Sequence, residues 1–99
     1  MRGINRVTLA GNVTGDINSG TMRNGTRVCS FSLACDRHNR GEIITAFVRV
    51  NCYIDALTEL VQTRLQKGDY VIIDGELMNR DGKMEELTEV RAREIVFLP

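Results

Sequence analysis

The chain contains no tryptophan, one proline and one histidine, and its 13 Lys and Arg are balanced by 13 Asp and Glu. A zero net charge gives no general attraction to a polyanion, so any acidic partner must be met by local placement of cations. The three cysteines, Cys29, Cys35 and Cys52, contain no Cys-x-x-Cys pair and have no histidine at ligand spacing. That excludes a disulfide framework and a structural zinc site, and leaves reduced, buried thiols acting as small core hydrophobes. No apolar run approaches the ~18 residues of a membrane span. Met1–Asn5 leads straight into alternating sequence without the apolar core of a secretion signal, so the expectation is a cytosolic chain. A Ser/His/Asp set, a metal-ligand cluster and a Gly-rich phosphate loop are all missing, so neither an enzyme nor a cofactor is expected.

What is present is one domain's worth of sequence, 99 residues, without repeats or linkers. Residues 6–13 alternate and predict a strand, with Gly11 as a bend or a point of close approach. Residues 14–26 are turn-rich, with room for a short hairpin around Met22. Residues 27–36 alternate again, placing Cys29, Phe31, Leu33 and Cys35 on one face, and Asp36–Gly41 reads as a polar loop. A third strand is predicted over 43–54. From Asp55 to Lys67 the period becomes helical, with Leu57, Leu60, Val61 and Leu65 on one side, Asp55 as N-cap and Gly68 as stop. A fourth strand runs from Val71 to Met78, Asp81-Gly82 predicts a hairpin turn, and a fifth strand covers 86–98. Its phase slips near Glu94, the sign of a bulge. Three strands, one helix and two strands match a single OB-type barrel over 1–99, with the helix between strands three and four.

The third strand carries the informative pattern. Ala46, Val48, Val50, Cys52 and Ile54 form an apolar face that belongs in the core, leaving Phe47, Arg49, Asn51 and Tyr53 on the other. Rings on a wet face call for a partner, and nucleic-acid bases stack on aromatics whatever their sequence. Arg49 between the rings can pair with a phosphate or stack on a base. The competing reading is that the two rings cover the barrel exterior or an oligomer interface. In an OB barrel, strands two and three are the usual oligonucleotide-binding face.

Three stretches resemble the bacterial and phage single-stranded DNA-binding proteins across essentially the whole chain. They are Ile4–Asp16, similar to N-x-V-x-L-x-G-x-V-x-x-D; Asn24–Ala34, similar to N-G-x-x-V-x-x-F-x-L-A; and Leu65–Leu77, similar to L-x-K-G-x-x-V-x-V-x-G-x-L, with Arg80 following where that family has Arg. The resemblance implies a non-catalytic homo-oligomer, a tetramer in preference to a dimer, that wraps and protects single-stranded DNA in replication, recombination and repair. It implies a nucleoid-associated place in the cytoplasm. Phe47 falls where the family commonly has a stacking tryptophan, Arg49 on a basic position and Tyr53 on an aromatic one. The missing tryptophans imply weaker binding or a smaller site. The family usually ends in a flexible tail with an acidic, hydrophobic tip, whereas this sequence stops at Val96-Phe97-Leu98-Pro99, either trimmed or as in a naturally short phage, plasmid or primosomal relative. Replication and repair proteins remain possible partners, with no acidic tail here to recruit them.

Eleven of the cations are Arg and two, Lys67 and Lys83, are Lys. Arg37 and Arg40 in the second loop, Arg49, and Arg80 and Lys83 at the last hairpin are expected to border one face, with Arg91 and Arg93 on the wall of the fifth strand. His38, the one ring in the second loop, either stacks or is solvated. Glu85, Glu86 and Glu89 are expected off the DNA path. The alternative function is a primosome-type interaction module that uses Phe47 and Tyr53 as a protein interface.

Overall fold

Period-two alternation builds five strands, and the single change of period at Asp55 builds the only helix among the described residues. The computed structural model describes residues 2–79 and 88–99. In chain order the elements are β1 (Val7–Thr21), β2 (Arg27–Asn39), β3 (Glu42–Cys52), α1 (Asp55–Arg64), β4 (Tyr70–Asn79) and β5 (Thr88–Phe97). The strands close into a barrel in the order β1-β2-β3-β5-β4, all neighbours antiparallel except β3 and β5. This is the OB arrangement that the sequence predicts, with the helix between β3 and β4.

β1 is longer than expected. It continues through the turn-rich residues 14–21, because after pairing β4 over Val7–Asn12 it pairs β2 over Asn12–Thr21, with an irregularity between Thr14 and Asn18. Gly11 sits at the corner between the two pairings. A Cβ there would collide with the carbonyl oxygen of Ala34, so the glycine marks close approach of two backbones. The expected hairpin around Met22 is present: Met22 N–H donates to Thr26 O at 2.8 Å, Gly25 N–H to Met22 O at 2.9 Å, and Thr26 N–H to Asn24 Oδ1 at 3.0 Å.

The polar stretch Asp36–Gly41 is not a loop. β2 and β3 stay paired out to Asn39 and Glu42, and only Arg40 (φ 51°) and Gly41 (φ 84°) turn. Two consecutive left-handed residues make the tight hairpin turn whose twist matches the flanking strands, and glycine carries the second at no steric cost. Beyond Ala34 on β2 and before Val50 on β3, neither strand has another neighbour in the sheet. The pair therefore leaves the barrel as a ribbon. That corrects the expected core face of β3: Ala46 and Ile54 are exposed, and Val48, Val50 and Cys52 are the residues that turn inward. Cys35, at the root of the ribbon, is likewise only half-buried, while Cys29 and Cys52 are fully buried cross-strand neighbours.

α1 buries Leu57, Thr58 and Val61 against the barrel. It differs from expectation at both ends. The N-cap is Ile54 with no side-chain cap, and Asp55 is the first helical residue, where its charge complements the helix dipole. The helix stops at Arg64, because Leu65 turns extended to bury its side chain. Gly68 instead serves the following loop, where its N–H donates to Val13 O at 2.8 Å.

The expected bulge in β5 is found. Asp74 pairs Glu94 and Gly75 pairs Ala92, so Arg93 is the extra residue. The bulge brings Val90, Ala92 and Ile95 to the same, inner side despite the slip in sequence phase. With Val13, Phe31, Leu33, Val50, Val71 and Ile73 they fill the core. A second set of apolar residues, Tyr70, Val96 and Leu98, is left exposed on the outside of β4 and β5.

Candidate nucleic-acid interface

The register of β2 on β3 decides which side chains share a face. Ala34 lies opposite Phe47, Ser32 opposite Arg49 and Ser30 opposite Asn51, and Asn51 lies beside Arg91 of β5. Cross-strand partners point the same way. Phe47, Arg49, Asn51 and Arg91 therefore project from one outer surface, with small residues of β2 as its floor. Phe47 is 72% exposed on it. Residues two apart on a strand are spaced by about 7 Å, so the Phe47 ring and the Arg49 guanidinium rise from adjacent positions.

The polar groups of this face are tied to one another. Arg49 Nη2 donates to Ser30 Oγ at 2.8 Å, and its Nε lies 4.0 Å from Glu89 Oε2. Asn51 Nδ2 donates to Glu89 Oε1 at 2.6 Å and approaches Met78 Sδ at 3.8 Å. Arg91 lies over the Tyr53 ring, 4.9 Å from its centroid, and 3.9 Å from Glu76. One face of Tyr53 is thus already covered by a cation, and the ring closes the end of the strip. Beyond it an open groove of about 470 Å³ is lined by Met22, Asn24, Thr26, Tyr53, Met78 and Arg91.

Of the residues singled out from sequence, Phe47, Arg49, Tyr53 and Arg91 come together here. Three others ride on the ribbon. His38 pairs Ile43 on the same side as Phe47, Arg37 pairs Ile44 on the opposite side, and Arg40 is at the turn. Arg93, the bulge residue, leans back to within 3.5 Å of Gly75 O and is separate from the strip. Arg80, Lys83, the Asp81-Gly82 turn, Glu85 and Glu86 lie outside the described residues.

Glu89, expected off the DNA path, is buried on this face beside Arg49 and Asn51, where the parallel pairing of β3 with β5 places it. Sequence reasoning also missed the groove residues Met22 and Met78, whose meeting depends on barrel closure. Among the described residues, no group of three or more His, Cys, Asp or Glu side chains is placed to hold a metal ion. Neither Cys52 nor Cys35 is activated as a nucleophile. Burial, with Cys29 alongside, pushes Cys52 up to about 12, and burial with Asp36 nearby also raises Cys35. No helix among the described residues is long and apolar enough to cross a membrane.

A model of the single-strand binding protein family matches residues 4–98. The chain belongs to this family. Among its relatives, single-stranded DNA-binding protein 2 of Chlorobaculum tepidum is 36% identical over 106 residues, covering 96% of this chain and 71% of that protein. The single-stranded DNA-binding protein of Bacillus cereus is 36% identical over 104 residues, covering 96% of this chain and 60% of its own length. The chain thus spans three-fifths to seven-tenths of these two family members. Its fold is shared with a Plasmodium falciparum SSB in complex with ssDNA (TM-score 0.82, 23% identity, all of this chain and 98% of that one). It is also shared with a mitochondrial single-stranded DNA-binding protein of S. cerevisiae (TM-score 0.80, 14% identity, 98% and 97% covered).

Proposed function

We propose that this chain binds single-stranded DNA without regard to sequence, by stacking bases on the outer face of β2 and β3. The carrying observation is Phe47, a large ring 72% exposed on a sheet face and flanked by Arg49. Base–aromatic stacking contributes ~1–3 kcal/mol per base and tolerates every base. Phe47, Arg49 and Tyr53 form the centre of the site. His38 and Arg40 on the ribbon and Arg91 beside Tyr53 extend it, and Arg37, Arg80, Lys83 and Arg93 are assigned to its margins from the sequence. Family membership supports the reading, as do relatives that carry the name single-stranded DNA-binding protein.

The role that follows is protection of exposed strands in replication, recombination and repair, with no catalysed reaction and no cofactor. A homo-oligomer, tetrameric in preference to dimeric, fits the apolar residues Tyr70, Val96 and Leu98 left on the outside of β4 and β5. The reading is tested by fluorescence anisotropy of labelled oligo-dT, a mixed-sequence single strand and its duplex across a salt series. Binding of both single strands that weakens with salt, and much weaker binding of the duplex, is expected. Equal affinity for the duplex, or no binding to either single strand at low salt, would contradict it.

A further inference from the structure

Glu89 is an acid only 3% exposed on the same face as the strip that carries Phe47, Arg49 and Tyr53, directly beside Arg49. A carboxylate buried so completely is tolerable only against donors. Asn51 Nδ2 supplies one at 2.6 Å, and the Arg49 Nε supplies opposite charge at 4.0 Å. Arg49 is also held from the other direction, where Nη2 donates to Ser30 Oγ at 2.8 Å. Its guanidinium is therefore anchored along its Nε/Nη2 edge, towards β5 through Nε and towards β2 through Nη2, while the side chain stays 41% exposed.

A guanidinium anchored along one edge keeps its plane free, and a planar cation offers that plane to rings. Its charge, by contrast, is already met by a neighbour. We propose that Glu89 is a positioning residue which, together with Ser30, lays the Arg49 guanidinium on the sheet between Phe47 and Tyr53, so that Arg49 meets DNA as a stacking surface for a base and not as the counter-charge of a phosphate. This rests on the single-stranded DNA reading above, and it decides between the two roles that the sequence leaves open for Arg49.

The two roles differ in salt dependence. A cation that neutralises a phosphate on a single strand contributes about 0.7 to the slope of log K against log salt, and a stacking surface contributes none. The experiment is anisotropy of labelled oligo-dT across a salt series for the wild-type chain, Arg49→Ala, Arg49→Lys and Glu89→Gln, each checked for folding by circular dichroism. Arg49→Ala is expected to lose about fivefold or more in affinity with the slope unchanged. Arg49→Lys, which keeps the charge but not the plane, is expected to match it. Glu89→Gln, which removes the acid that meets the Arg49 charge, is expected to steepen the slope by about 0.7.

A flatter slope in Arg49→Ala together with wild-type affinity in Arg49→Lys would overturn the proposal and make Arg49 a phosphate ligand. Arg49 is half-exposed, so this pair of variants decides the matter even if Glu89→Gln lowers stability. Absence of wild-type binding at low salt would instead overturn the single-stranded DNA reading, and this inference with it.

Discussion

Single residues carry both the packing of the barrel and its chemistry, and they are separable by experiment. Gly11 faces the Ala34 carbonyl oxygen across a corner of β1, and nothing larger than hydrogen fits. Gly11→Ala is expected to cost about 3 kcal/mol by overpacking, which lowers the melting midpoint by more than ~10 °C for a domain of this size. An unchanged midpoint would mean that the two backbones are not in contact. The cysteines divide by burial. At mildly alkaline pH a thiol reagent should label Cys35 in the native chain, and Cys29 and Cys52 only after denaturation. Because Cys52 is raised in the folded state to about 12, the unfolded chain gives up this proton first. The stability this thiol contributes is full below about pH 9 and declines as pH climbs towards 12, a decline that Cys52→Ala should lessen in alkaline denaturation curves. At this scale alternation alone exposes Phe47 in the sequence. Glu89 is not legible in the same way, since burial on an outer face depends on which strand lies alongside, and β5 reaches β3 only by closing the barrel.

Among the elements, the ribbon of β2 and β3 is where sequence and structure part most. Asp36-Arg37-His38-Asn39-Arg40 is polar enough to read as a loop, but each residue up to Asn39 has a partner on β3, and pairing overrides propensity. The same partnership, lacking a third strand, exposes Ile43 to 60% and leaves Ile44 and Phe47 in solvent. The helix ends shifted for a related reason: Leu65 is worth more buried than helical, so the stop comes before Gly68. By contrast, the helix itself, the five strands and the bulge at Arg93 were readable, because each is a change in period or phase. Removing His38, Asn39, Glu42 and Ile43 shortens the ribbon while keeping its turn and register. As exposed residues contribute within about 0.5 kcal/mol, the melting midpoint should move by less than about 4 °C. Affinity for oligo-dT should fall, and undiminished affinity would take the ribbon off the DNA path.

For the whole molecule, the radius of gyration of 14.0 Å exceeds the ~13 Å of a compact hundred-residue domain, in keeping with the β2–β3 ribbon that leaves the barrel. Balanced charge also has meaning only at this level. The proposed DNA-binding face has its central arginines already engaged, Arg49 by Glu89 and Arg91 by Glu76, so on this reading stacking is expected to carry more of the affinity than the 13 cations suggest. Light scattering is expected to give about four times the 11.1 kDa of one chain, and a monomer at micromolar concentrations would contradict the assembly. The most direct test of base stacking on β3 is the affinity of Phe47→Ala for labelled oligo-dT at fixed low salt, measured beside a melting curve. With the melt unchanged, the loss of the ring should weaken binding by about 5- to 150-fold; a folded Phe47→Ala chain that binds as tightly as the wild type would contradict the account.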